Sequence, residues 1–236
     1  MIQETINFQG FTPDAVEFLR ELRANNNKPW YEANKQRYQA SVLKPFQALV
    51  ADLGGLMLTI DPHFTITPAV SKTISRIYRD TRFSKDKSLY RSNVWLTFKR
   101  QQPDWQEAPA FYFELAPEGY TYGMGFYSAT KAVMDRFREK ITREPEDFLK
   151  VIGFYPTGGF ILDGEQYKRM AVPDLPALVR DWYPYKSFHL SRRKGIDERL
   201  FSRGVFDDLS RGFGMLAPLY QYLQVIKQEA DAELTY

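Results

Sequence analysis

The chain has 236 residues, 44% hydrophobic and 16% aromatic, enough for a sizeable core in one large domain, and its formal charge is only +3. It has no cysteine, which excludes disulfides, thiolate nucleophiles, iron–sulfur ligation and cysteine-based zinc sites, and its two histidines, His63 and His189, stand 126 positions apart, which argues against a histidine-rich metal site. Residues 1–6 carry an acid and no long apolar run, unlike a signal peptide, and no stretch reaches the ~20 apolar residues of a membrane span, so a cytoplasmic protein with no membrane partner is expected.

Thr12-Pro13-Asp14 predicts a helix start, with a capping residue, a proline at the first helical position and an acid near the positive dipole end. Phe11 and Val16 are spaced for a hydrophobic staple, Ala15, Phe18, Leu19 and Leu22 form an apolar stripe, and Asn25-Asn26-Asn27 stops it. A second helix is expected from Pro29, with Pro45 kinking or breaking it near Lys44 because proline lacks the amide proton.

From residue 70 the period shortens. Residues 93–99, 111–116 and 120–127 alternate apolar and polar positions with short connections, the pattern of antiparallel strands. Helical spacing returns at Ala132, Val133, Phe137 and Ile141 and again over 145–152. A short strand around 160–162, a small helix near 175–182 and a strand near 187–191 follow. The last helical region, from Asp197 onward, is expected to be interrupted by glycines at 204, 212 and 214. Segregated helices beside a largely antiparallel sheet make a single α+β domain spanning residues 1–236.

Residues 72–100 hold nine Lys or Arg against Asp80 and Asp86, a net of +7, so the remainder of the chain sums to −4. A focused positive region in a nearly balanced protein points to a localised anionic partner. Arg76, Arg79 and Arg82 recur every third residue. On a helical turn they share a side; on a strand Arg79 opposes the other two. With Lys87 and Arg91 they are the candidate ligand-binding residues, Arg for its planar donor fork and Lys as a mobile point charge. Asp80 and Asp86 are the candidate catalytic residues, because a carboxylate can orient an arginine, hold a divalent ion or transfer a proton. Each of these charges also fits an ion-pair and turn network. Tyr78, Phe83 and Tyr90 read as core aromatics first and stacking surfaces second, and Thr81 and Ser84 as turn residues.

The run Ser75-Arg76-Ile77-Tyr78-Arg79-Asp80-Thr81-Arg82-Phe83-Ser84-Lys85-Asp86-Lys87-Ser88-Leu89-Tyr90-Arg91 resembles the signature stretch of an uncharacterised bacterial family, the domain of unknown function numbered 2461. That family usually has proline where Leu89 stands and lysine where Arg91 stands. Asn25-Asn26-Asn27-Lys28-Pro29-Trp30-Tyr31 is similar to its asparagine-rich junction, and Gly123-Met124-Gly125 through Arg138 to its glycine-containing strand and following helix. The resemblance covers nearly the whole chain and implies an α+β fold but no established activity.

Arg138, on the predicted helix after Phe137, is either a surface ion-pair partner or a further ligand-binding residue. Gly123 and Gly125 mark a bulge, tight packing or close approach of a ligand, and lack the strand-to-helix context of a phosphate-loop motif. A second positive run, residues 186–203, carries six Lys or Arg against Asp197 and Glu198, a net of +4. No cofactor is implied, and Asp80 with Asp86 would need further ligands to complete a metal site. The reading is an anionic small-molecule partner, phosphorylated or carboxylated, bound or turned over at residues 79–87. Nucleic acid on the two basic runs is the alternative, and a non-catalytic protein-interaction module the third.

Overall fold

The computed structural model describes residues 7–82 and 85–233. It is an α+β fold with a five-stranded antiparallel sheet. Helix α1, Pro13–Ala24, starts beside Thr12 as expected, although the threonine hydroxyl makes no capping bond. Its stripe of Ala15, Val16, Phe18, Leu19 and Leu22 is buried. Asn25 ends α1, and Asn27 caps α2, Lys28–Arg37, by accepting from the Trp30 N–H. Arg37 ties the two helices, reaching Asp14 at 2.8 Å and Glu21 at 2.6 Å.

The strain expected at Pro45 is relieved without a break. Residues Tyr38–Leu43 form a π-helical turn that runs directly into α3, Lys44–Ile60. A π-turn absorbs an extra residue and re-spaces the amide ladder, so the missing proline N–H does not end the helix. The continuous stretch Lys28–Ile60 is long and apolar enough to cross a membrane by composition alone. Val42, Phe46, Leu49, Val50 and Leu53 along it are fully buried, which is how a core helix of a globular protein reads.

Strands β1, Val94–Phe98, and β2, Pro109–Ala116, follow the expected alternation, with Val94, Leu96, Phe98, Phe111, Phe113 and Leu115 inaccessible to solvent, whereas β3, Gly119–Phe126, is buried at every position but Thr121. Burying each such side chain is worth ~1.5–3 kcal/mol. After α4, Lys131–Arg143, α5, Pro145–Val151, and α6, Tyr155–Gly158, come β4, Ile161–Gln166, α7, Ala177–Arg180, and β5, Tyr185–Lys194. The strand order is β1-β2-β3-β5-β4, so the last two strands exchange places relative to the chain.

The C-terminal helix expected from Asp197 begins only at Gly204, and the interruptions expected at Gly212 and Gly214 do not occur. Helix α8 runs unbroken for 30 residues, Gly204–Glu233, through Gly212, Gly214 and even Pro218. Each interior glycine costs ~1 kcal/mol of helix propensity. Burial outweighs it, because Leu209, Phe213, Leu216, Leu219 and Leu223 lose all solvent contact.

Two compact units share these elements. The first comprises residues 1–98, 112–122 and 193–211, and the second residues 99–111, 123–192 and 212–236. In the first, Phe11 packs on Phe46 of α3 at 5.1 Å and on Phe113 of β2 at 5.8 Å. In the second, Phe111 contacts Phe213 and Tyr220 of α8, and Phe137 of α4 contacts Phe188 of β5.

Candidate functional site

The basic segment is a hairpin-like excursion in the first unit. Before it, residues 73–75 lie along β1, where Ser75 N–H donates to Trp95 and Thr97 N–H to Thr73, both at 2.8 Å. These bonds cover a strand edge that would otherwise be open. The chain then enters the neck of the excursion. Arg79 N–H donates to Leu89 at 2.9 Å and Arg91 N–H to Ile77 at 2.8 Å, flanking an antiparallel bridge between Tyr78 and Tyr90. In that arrangement the bridged pair turns its own N–H and C=O groups outward, away from each other.

Asn26 takes up the outward groups of Tyr90. Its Nδ2 donates to the Tyr90 carbonyl at 2.8 Å and its Oδ1 accepts from the Tyr90 N–H at 2.9 Å. A carboxamide carries one donor end and one acceptor end, so a single side chain substitutes for a neighbouring strand. Tyr90 stacks on Tyr31 of α2 at 4.4 Å, and Tyr78 contacts both rings. The neck is therefore held by the asparagine junction, 64 residues earlier in the chain.

Residues 80–82 and 85–88 belong to the loop that the neck presents. Asp80 grips Arg82 with a fork, Arg82 Nε to Oδ1 at 3.0 Å and Nη2 to Oδ2 at 2.8 Å, and accepts the Arg82 N–H at 3.1 Å. Those bonds hold the Asp80 carboxyl down at about 2. Asp86 accepts from the Ser88 N–H at 2.9 Å, lowering its pKa, and pairs with Arg79 at 3.2 Å. Lys87 Nζ donates to the Thr81 carbonyl at 2.8 Å. Arg79 Nε is buried and has no hydrogen-bond partner among the described residues. Lys85 and Lys87 are exposed. The roles expected of Phe83 and Ser84 fall outside the described residues.

The other cations of the run make contacts outside the loop, although Arg91 still helps to lower the Asp80 carboxyl. Arg76 Nε donates to the Ser71 hydroxyl at 2.7 Å, where Ser71 holds a left-handed φ of 67°. Arg91 lies over the Trp95 ring at 4.7 Å. Lys99 belongs to the second unit, seated 3.0 Å over the Trp105 ring with its amine pushed down to about 8 by burial. The +7 window is thus several local arrangements, of which the 79–88 loop is the most exposed and most densely charged.

Arg138 also lies in the second unit. It is 5% exposed, donates to the Tyr185 carbonyl at 3.0 Å and to Asp135 at 2.7 Å, and sits over the Tyr167 ring. These contacts tie α4 to the start of β5. Gly123 and Gly125 have a packing reason too. A Cβ on Gly123 would fall 1.8 Å from the Leu190 carbonyl oxygen and one on Gly125 2.4 Å from His189 Cα, so both are required by the approach of β5.

Among the described residues no group of three or more His, Asp or Glu side chains gathers as a metal site. Two features escaped the sequence reading: the Asn26 clamp, and the exposure of Tyr78, of which 51% remains in contact with solvent. An asparagine run signals caps and turns; nothing in it signals a partner 64 residues away.

A family model described as conserved hypothetical protein (DUF2461) matches residues 14–222, a span that includes the asparagine junction, the loop and the strand with Gly123 and Gly125. No curated protein matches the chain.

Proposed function

The chain belongs to the DUF2461 family, whose description assigns no activity, and we propose from the geometry that residues 79–88 form a binding loop for a phosphorylated or carboxylated small molecule. The supporting observation is the use made of the two acids. Asp80 fixes the plane of Arg82 and Asp86 anchors Arg79, so each carboxylate orients a guanidinium within the loop itself. The run 76–91 holds six cations against two acids, so four positive charges remain in excess after both pairings. Oriented arginines match the paired oxygens of phosphate and carboxylate, and the lysines add charge without demanding a fixed geometry.

In this reading Arg82 and Arg79 meet the anion, Lys87 neutralises it, and Arg76 and Arg91 add to the field at the neck. Asp80 and Asp86 are positioning groups. A carboxyl held at about 2 has no proton to donate near neutrality, so Asp80 does not serve as a general acid. Binding accordingly takes precedence over turnover, and the cytoplasm, where such metabolites are held, is the expected location.

The test is titration of ribose 5-phosphate and of a dicarboxylate into wild type, Arg82→Ala and Lys87→Ala. The loop reading predicts measurable binding that weakens about tenfold or more in Arg82→Ala, the loss of one charge-assisted contact. Equal affinity in wild type and Arg82→Ala would reject the clamp.

A further inference from the structure

An aromatic ring that is half in water yet fixed in place can serve as a surface for another ring. Tyr78 is 51% exposed, while Tyr31 and Tyr90 beneath it are 3% and 2% exposed. Tyr78 meets Tyr31 edge to face at 5.6 Å and Tyr90 at a tilt at 5.1 Å, and those two buried rings stack on each other. The antiparallel bridge to Tyr90 fixes the Tyr78 backbone as well. The ring is therefore ordered before any ligand arrives, and covering its outer face requires little further ordering.

Its position along the chain ties it to the anion loop. Tyr78 lies two residues before Asp80, so their Cα atoms are at most about 7 Å apart, and Asp80 is the carboxylate that holds Arg82. The oriented guanidinium and the fixed aromatic face thus belong to residues four positions apart in the chain, one at the neck and one in the loop it presents. Resting on the anion-binding reading above, we infer that the ligand is of the nucleotide class, with its phosphate on the Arg82 side of the loop and its base on Tyr78. A bare phosphate or a simple carboxylate would leave the ring unused. Stacking on tyrosine suits every base, so the site discriminates a base from no base rather than one base from another.

The experiment compares AMP, ribose 5-phosphate and adenosine on wild type, Tyr78→Ala, Tyr78→Phe and Arg82→Ala, with thermal melts to confirm folding. AMP should bind wild type about tenfold tighter than ribose 5-phosphate, the yield of one stacked base. That advantage should vanish in Tyr78→Ala and persist in Tyr78→Phe, which keeps the ring and its packing. A short thymidylate strand separates the two sources of this chemistry. Affinity rising with strand length assigns the site to single strands, and affinity equal to that of the mononucleotide assigns it to free nucleotides. Equal binding of AMP and ribose 5-phosphate to wild type overturns the base-stacking inference while leaving the anion loop standing. Adenosine binding as tightly as AMP overturns the loop, and failure of all three to bind overturns both.

Discussion

The two basic runs, 76–91 and 186–203, look alike as strings of charge, and the second, from residue 193 onward, is built on the opposite principle. In the second, Lys194 reaches Asp208 at 2.8 Å, Arg199 forks onto the same carboxylate at 2.9 and 2.8 Å, and Arg203 binds Asp52 at 2.7 Å and the Phe8 carbonyl at 2.9 Å. Asp208 comes from α8 and its side chain is only 7% exposed; Asp80, the counterion of Arg82, comes from the loop itself and is 53% exposed. A buried, distant carboxylate turns cations into ties between segments. A local, solvated one only orients them and leaves their field facing water. Net charge per window does not distinguish the two, because it ignores counterions that the fold brings from elsewhere.

The sharpest way to break this comparison is to remove both carboxylates. Asp208→Ala leaves Lys194 and Arg199 without their shared partner and should cost about 1.5–3 kcal/mol in denaturant unfolding, the range for lost hydrogen bonds to a charged group, because both cations keep part of their side chains in solvent. Asp80→Ala should leave the melting temperature unchanged. Matching losses in the two variants would erase the distinction between a tie and an orienting group.

The neck of the loop comes next in expected size. Asn26→Asp keeps shape but sets a carboxylate oxygen against the Tyr90 carbonyl in place of the Nδ2 donor. A lost buried hydrogen bond with repulsion in its place should cost about 1–3 kcal/mol. Because Tyr90 pairs with Tyr78, ribose 5-phosphate should also bind more weakly, even though Asn26 touches no cation of the loop. Unchanged binding in a destabilised Asn26→Asp protein would show that the loop holds its shape without the clamp.

Local rules made much of the fold legible. Thr12-Pro13-Asp14 located α1, and alternation located β1, β2 and β3 to within two residues, because both signals lie in adjacent side chains. Gly212 and Gly214 misled because propensity is local whereas the burial of Phe213 and Leu216 is tertiary. The site divides in the same way. The pairing of Asp80 with Arg82 spans two residues and was readable as an option. Asn26 on Tyr90, Asp208 on Lys194 and Arg199, and the burial of Arg138 against Tyr185 depend on which segments meet, which no short window records.

A smaller effect sharpens the contrast through ionic strength. Raising salt from 0.1 to 1 M shortens the screening length from about 10 Å to about 3 Å. Ribose 5-phosphate affinity should fall several-fold over that range, since Arg82 is an exposed group with a side chain 77% in solvent. The stability difference between wild type and Asp208→Ala should fall less, because the Asp208 carboxylate is only 7% exposed. Salt-independent binding would take the ligand off the exposed loop.

Acid titration gives the smallest and most specific difference. Burial works to raise the Asp208 carboxyl, and its bonds from Arg199 and Lys194 outweigh that, leaving it below the ordinary 3.8. Bonds from the Arg82 side chain and backbone lower Asp80 to about 2. For both, the folded value lies below the unfolded one, so the stabilisation is complete above about pH 4 and is lost as pH falls through the folded pKa. Both carboxylates therefore carry part of the acid dependence. Unfolding measured from pH 5 to pH 2 at low salt should show a shallower acid slope in Asp208→Asn and in Asp80→Asn than in wild type. In 1 M salt the Asp80 difference should disappear, because that pair is solvated and screened, while part of the Asp208 difference persists. An Asp80 slope that survives 1 M salt would mean that the loop pair is a structural tie after all.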